Sequence, residues 1–476
     1  MQKIWRKLSI SFAFVLVFFA ATIFSGCGTN PLQSYKVDLE IWGFDDDSDA
    51  FEGFINEYKR INPHVGDIKY RKLTVDTYRK ELLDALAAGN GPDIFLIQNT
   101  WLPGFSDKLV PAPQTLITEG AVKSEFVDVV ANDFIDEQKD VYALPLTVGS
   151  LALFYNKDML NAAGITTPPK TWNEFVDIAK KMTIIDESGN IVRSGAAFGT
   201  ASNVNRSSDI LMMLMLQNDV AMTDDAKSSA RFDQGTVLAD GSVGSSGENA
   251  LQFYTQFAKG GLSSYTWNSR MHYSIDAFYE GNLAMMINYP WHVETIKSKN
   301  AKMNFGVAQI PQLNLANPSN YANYWGYAVS KNKIAYASDS SGQAQKTQLP
   351  NELRVHESWE FIKFLTMKNN GTFRLMNAVT KTTGDFSVAM DPAVEYAKDT
   401  AQPGARRDII ETQKNDPVLG PFAYGNLIAK SWHQVDPVQI EGIFVDMIES
   451  VNKGNATVHD ALKLGSTRVS QIMQSK

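Results

Sequence analysis

The chain has one cysteine in 476 residues, Cys27. A single thiol excludes an internal disulfide, so the fold must hold together through an apolar core. Histidine is scarce: six residues, with no His-Glu-x-x-His and no compact cluster, so no transition-metal site is signalled and none is expected. No phosphate-cradling loop with its Lys is present, and no Gly-x-Ser-x-Gly elbow. Nucleotide hydrolysis and serine-hydrolase chemistry therefore lack their usual parts, and no cofactor is expected. Long basic stretches are missing too, and the formal charge is −8, so nucleic acid is not an expected partner.

Only one apolar stretch is long. Leu8 to Phe24 carries no charge, Lys3, Arg6 and Lys7 precede it, and the small Ser25-Gly26 follow it. A basic start, an apolar core and small residues form an export signal. Cys27 sits just behind the expected cut. The arrangement resembles a bacterial lipoprotein signal, in which this thiol receives a diacylglyceryl group and becomes the new N-terminus. Phe24 stands where that pattern usually has Leu. A plain signal peptide and an uncleaved anchor are the alternatives, and all three readings place the remainder outside the cytoplasm. Residues 1–26 are thus expected to be the signal and 27–35 a polar tether. Removal of three cations with the signal leaves a body near −11.

Roughly 440 residues follow, 44% of the whole chain being hydrophobic, which is enough for two lobes. Val37, Leu39 and Ile41 alternate with polar residues as in a strand. Phe51, Phe54, Ile55 and Tyr58 then recur at helical spacing. "GDIKYRKLT" reads as a second strand, "DTYRKELLDALAAGNG" as a helix ended by Gly89, and "PDIFLIQN" as a buried strand. An opening of β-α-β-α-β calls for a parallel, doubly wound sheet. Pro145 to Ser150 and Tyr324 to Tyr327 read as crossovers between lobes. Thr171 to Glu174 is a capping box, "ILMMLML" a helix buried on all faces, and Trp172 a packing residue. Residues 219–247 and 337–350 read as exposed loops.

Several segments together resemble the extracellular solute-binding proteins of bacterial ABC importers, in the sugar-binding branch. They are "ALPLTVGSLALFYNKDML", "PPKTWNEFVDIAKKM", "AFYEGNLAMMINYPWHVE", "FGVAQIPQ", "NYWGYAVSKN", "WEFIKFL" and "VNKGNATVHDAL". The resemblance implies a two-lobed α/β fold, each lobe a doubly wound sheet, with hinge crossovers and the ligand held between the lobes. It implies a division into 36–147 plus about 326–380, and 148–325 plus about 381–476. The implied partners are a sugar or oligosaccharide and a membrane permease, with the ATPase on a separate chain. The protein is expected to be a monomer and not an enzyme. A secreted glycoside hydrolase, or a binder of a charged solute such as a sugar phosphate using Arg206 or Arg270, are the rival readings.

Ligands of open parallel sheets bind beyond the carboxyl ends of strands. Trp42, Asn99, Trp101, Tyr289 and Trp291 stand at such ends, and Tyr324 and Trp325 at a crossover. A pyranose needs that mixture, because its C–H faces stack on aromatic rings while its hydroxyls need amides and carboxylates. These seven are the expected site residues, each weighed against core packing. Asp45 is the acid expected after the first strand, and Trp432 occupies a position where relatives carry another aromatic near the cleft. Maltodextrin binders carry an acid where this chain has Gly149, so maltose itself is not the expected ligand.

Cys27 is expected to be lipidated, with two acyl chains sufficing for stable anchoring. Cys27→Ser should release the protein from membranes or leave an uncleaved precursor. Intact mass of the membrane fraction checks this, and an unmodified thiol there would refute it.

Overall fold

The computed structural model describes residues 35–44, 46–235, 241–243, 247–331, 333–336 and 348–475. The export signal, Cys27, Asp45, all of the tether but Tyr35, and most of the 337–350 stretch lie outside the described residues.

The chain opens as its periodicity dictates. Strand β1 (Val37–Gly43) buries Val37, Leu39 and Ile41, and the Ser48–Ile61 helix buries Phe51, Phe54 and Tyr58 in the same core. Strand β2 (Val65–Lys72) and the Val75–Ala87 helix follow, then β3 (Ile94–Gln98), which is buried until Gln98. Both β2 and β3 pair with β1 in parallel. Short strands β4 (Leu109–Val110) and β5 (Ala143–Leu144) come next. The chain then leaves this lobe through Leu146 and β6 (Gly149–Ser150).

A second sheet is built from β7 (Ala152–Asn156), β8 (Ile184–Ile185), β9 (Ile191–Ala196), β10 (Leu283–Asn288) and β11 (Phe305–Ala308). Its order is β11-β7-β10-β9-β8, with β10 parallel to β9 and antiparallel to β7. The Thr171 capping box is present, with both reciprocal bonds to Glu174. Trp172 is packed in the core as expected, and the Ser207–Gln217 helix is buried nearly all round. The chain returns through β12 (Asn320–Asn323) into β13 (Trp325–Ser330). Strand β13 completes the first sheet, order β2-β1-β3-β13-β4, with β5 also on β13. It runs antiparallel to β3, setting Trp325 opposite Gln98. That antiparallel member, arriving from the other lobe, makes the sheet mixed rather than wholly parallel.

Two separate apolar cores result. One runs from Tyr35 to Val148 and resumes at Ala322. The other runs from Leu151 to Tyr321 and includes the Pro437–Asn452 and Val458–Gln474 helices. The stretch beyond residue 380, expected wholly with the second lobe, is divided between them. Val388, Ala393, Ala397, Ile409 and Ile410 pack in the first core, and Phe422, Trp432 and Ile440 in the second. Where the cores meet, β12 pairs with β6 and with β14 (Ala429–Lys430), a short sheet of its own.

Close backbone packing explains one glycine in the second lobe. A Cβ at Gly195 on β9 would stand 1.9 Å from the Ala179 carbonyl oxygen of the Trp172–Met182 helix. Gly195→Ala should therefore cost about 1–3 kcal/mol, the usual penalty for overpacking. A urea melt checks it, and an unchanged midpoint would show that helix and strand separate freely.

Candidate functional site: the cleft between the lobes

Because β1 and β3 run in parallel, their carboxyl ends open at the same edge of the first sheet. Phe44 and Asp46 follow β1, Gln98 closes β3, and Trp325 opens β13 beside it. Phe44 meets the Trp325 ring edge-on, with centroids 4.5 Å apart. Trp325 in turn meets Trp101 edge-on at 4.9 Å, and Trp101 stacks on Phe105. This interlocked aromatic wall faces a cavity of about 580 Å³ whose other side is formed by Trp291 and Arg206 of the second lobe. A volume of that size falls within the usual range for small-molecule sites. Asp46 accepts a hydrogen bond from the Tyr396 hydroxyl at 2.9 Å, and burial raises its pKa.

Trp291 follows β10 and Pro290 and is 40% exposed. Its ring lies flat on Tyr289, with centroids 4.5 Å apart and planes 13° from parallel. Tyr289 is fully buried and donates its hydroxyl to Asp209 at 2.7 Å. Asp209 also takes the Arg206 guanidinium, with Nη2 at 2.7 Å, and Glu441 lies 3.5 Å from Nη1. Arg206, the cation that this wall presents to the cavity, is thus already held by two acids.

Hydrogen-bonding groups sit at the junction. Gln98 donates to Asn323 Oδ1 at 3.0 Å. Both residues and Arg206 also border a small polar recess with Asn99, Thr100 and Gln434. Behind it, Asp133 accepts from Asn99 at 2.9 Å, from the Tyr324 hydroxyl at 2.8 Å, and from the Ser431 hydroxyl. Burial pushes the Asp133 carboxyl up to about 6, against the pull of these three bonds.

Of the expected site residues, Trp291, Tyr324 and Trp325 line the cavity. Asn99 borders the recess, and Tyr289 lies under Trp291 as its support. Trp42, Trp101 and Trp432 are placed differently. Trp42 is buried in the first core, with its indole N–H on Glu40 and the Arg71 guanidinium over its ring. Trp101 is enclosed by Phe105, Tyr78 and Trp325 and reaches the cavity only through Trp325. Trp432 is buried in the second core with its N–H on the Met212 sulfur. Standing at a strand end fixes a residue's height on the sheet but not its depth, and each indole found neighbours that cover it.

Sequence reasoning did not find Phe44, Gln98, Asn323, Tyr396 or Gln402, and it named Arg206 only for a charged solute. Gln98 and Asn323 carried a readable signal, an amide beside residues already singled out. Tyr396 and Gln402 come from a distant segment with no local pattern. Among the described residues no group of acids and histidines is placed to hold a metal ion, and no helix is long and apolar enough to cross a membrane.

A cavity between two independent α/β cores, walled by aromatic and amide side chains from both, defines a two-lobed solute-binding protein. Residues 44–368 match the bacterial extracellular solute-binding proteins, and the chain belongs to that family. It is 25% identical over 362 residues to the galactooligosaccharide-binding protein of Bacillus subtilis (strain 168), covering 69% of this chain and 73% of that one. It is 22% identical over 317 residues to the maltotriose-binding protein of Pyrococcus abyssi (strain GE5 / Orsay), covering 67% and 59%. Among solved structures, the cyclic alpha-maltosyl-1,6-maltose binding protein from Arthrobacter globiformis is similar, with a TM-score of 0.69 and 17% identity over 93% of this chain and all of that one. The sugar-binding protein MalE from Xanthomonas citri gives 0.67 and 18%, covering 92% and 98%. These likenesses establish the fold.

Asp133 generates a pH prediction. In the unfolded chain its carboxyl titrates near 3.8, and in the folded protein near 6. Between those values the folded state holds more protons, so this group's contribution to stability falls as pH rises and levels off above about 6. Asp133→Asn removes the titration. The wild type's margin over Asp133→Asn should therefore shrink by about 2 kcal/mol between about pH 4 and pH 7. Urea melts at the two pH values check this, and a margin that grows would reverse the sign of the argument.

Proposed function

We propose that the protein is the extracytoplasmic, lipid-anchored binding component of an ABC importer, that its ligand is a neutral sugar or oligosaccharide, and that it acts as a monomer. The observation that carries the ligand class is the exposed Trp291 indole, laid flat on Tyr289 and facing an aromatic wall across the cavity. Such a pair of surfaces suits the two C–H faces of a pyranose, while Gln98, Asn323 and Asp46 suit its hydroxyl rim. The ligands for which the relatives are named, galactooligosaccharide and maltotriose, support the same class.

Arg206 argues for a neutral ligand. Asp209 and Glu441 already balance its charge, so an anionic solute would have to displace an acid that is in place. Among the described residues the acids at the cleft are likewise engaged: Asp46 by Tyr396, Asp209 by Arg206 and Tyr289, and Glu441 by Arg206. That suits binding better than hydrolysis, which needs one carboxyl free to give a proton and another free to receive water or sugar. Because the walls belong to different cores, a ligand touching both favours the closed arrangement. The closed form would be presented to a permease carried, like its ATPase, on other chains.

Trp291→Ala tests the reading. A thermal-shift screen of mono- and oligosaccharides identifies a ligand first, since saturation at ~100 Kd stabilises the folded form by about 2.7 kcal/mol. Removing the indole should then weaken that ligand by about 2 kcal/mol or more, some thirtyfold, by calorimetry. The ligand-free melt should stay nearly unchanged, because the ring is partly exposed. A collapsed melt with normal residual binding would assign Trp291 to the core. Loss of mass from any glycan on incubation would point to a hydrolase instead.

A further inference from the structure

We propose that Gly149 and His292 are the positioning residues of the Trp291 platform, and that their seat selects a sugar unit by its apolar ring face rather than by its hydroxyls. The proposal rests on the sugar-binding reading above and adds what that reading leaves open, namely which feature of the sugar is recognised at this wall.

Three contacts fix the indole. Tyr289 lies beneath it in parallel. Gly149 of β6 lies at its edge, where a Cβ would stand 2.9 Å from Trp291 Cζ3 and 2.9 Å from the Asn323 carbonyl oxygen. Any side chain at 149 therefore competes with the indole for the same space. The third contact is polar: Trp291 Nε1–H donates to His292 Nε2 at 3.1 Å.

The histidine's role follows from donor inventory. An indole N–H can only donate, so Nε2 must accept. Asn205 Nδ2 stands 3.0 Å from the same Nε2, and Asn205 Oδ1 accepts from the Tyr273 hydroxyl, which turns the amide with its nitrogen toward the ring. The imidazole is thus neutral with its proton on Nδ1. That Nδ1 is buried and has no partner among the described residues. Burial and then the Arg206 charge hold the ring's pKa down, at about 4, which keeps Nε2 an acceptor at neutral pH.

Recognition follows from what is left over. With Nε1 committed to His292, Trp291 has no donor for a sugar hydroxyl. With glycine at 149, the crossover offers no carboxylate beside it. The ligand meets a bare ring face at this point, and hydroxyl readout falls to Gln98 and Asp46 across the cavity and to Asn323 at the junction beside Gly149. A unit with an unbroken C–H face should bind here, and loss of hydroxyls on its far edge should be tolerated.

The test uses the mature chain with His292→Leu, His292→Gln and Gly149→Ala, each first shown to keep its ligand-free melt. Trp291 emission is isolated as the difference from Trp291→Phe, and its acrylamide quenching is measured without ligand. His292→Leu and Gly149→Ala should raise that quenching, and His292→Gln, which restores an acceptor, should return it toward wild type. Maltotriose, mannobiose and a galactooligosaccharide serve as probes. His292→Leu should weaken the best of them about tenfold, the scale of one positioned hydrogen bond, and His292→Gln should recover most of the loss. If Trp291→Ala abolishes binding while His292→Leu and Gly149→Ala change neither quenching nor affinity, the seat is refuted and the sugar reading stands. If quenching responds but none of the probes nor any other sugar binds, the sugar reading fails and takes the selection claim with it.

Discussion

Asp133 draws three stretches of chain to one point. Asn99 comes from the end of β3, Tyr324 from between β12 and β13, and Ser431 from just beyond β14. A carboxylate in so enclosed a place has to be met by donors, because an unpartnered buried charge costs several kcal/mol. The residues that meet it are neighbours of the residues that face the cavity: Gln98 precedes Asn99, and Asn323 and Trp325 flank Tyr324. Satisfying one carboxylate therefore sets the floor of the cleft. The same cluster lies where the two cores meet, so it fixes the place where the chain passes between them.

The two cores shape what the cleft can do. Each lobe closes its own apolar interior, and the stretches between them carry short strands with little side-chain bulk, Gly149 and Ser150 pairing with Asn323 and Ala322. Packed interiors resist deformation, whereas a thin junction yields. Relative movement of the lobes would thus be concentrated at this junction, next to the cavity. The aromatic walls would move as units, because Phe44, Trp325 and Trp101 interlock within one lobe, and Trp291 and Tyr289 stack within the other.

Periodicity made the opening β-α-β-α-β legible, since each strand and helix there buries its own pattern of apolar residues. It also exposed the buried Ser207–Gln217 helix and the Thr171 cap. The strand-end rule pointed to Trp291 and Asn99, and the crossover to Tyr324 and Trp325, all of which border the cavity or its recess. The rule did not separate these from Trp42 and Trp101, nor did the family resemblance place Trp432, because burial depends on partners far away in sequence, such as Arg71 over Trp42 and Met212 under Trp432. The rule was equally blind to Tyr396 and Gln402, which a late excursion into the first lobe brings to the rim. Gly149 was legible as a missing acid, but its reason was not. Only the folded chain shows that the indole of Trp291 occupies the space a side chain would need.

That occupied space also bears on how the cleft binds. A large exposed aromatic ring is costly to hold in one orientation, since side-chain freedom must be given up either during folding or when ligand arrives. Here it is given up during folding. Tyr289, Gly149 and His292 hold Trp291, and Asp209 and Glu441 hold Arg206, so the second wall is ordered before any ligand enters. The fold meets part of the cost in the Nδ1–H of His292, unpartnered among the described residues, a defect of the kind that destabilises by about 1–3 kcal/mol. A ligand arriving at such a wall has little side-chain order left to impose. On the proposed sugar-binding reading, more of its contact energy would then remain available to draw the first lobe's aromatic wall onto its opposite face.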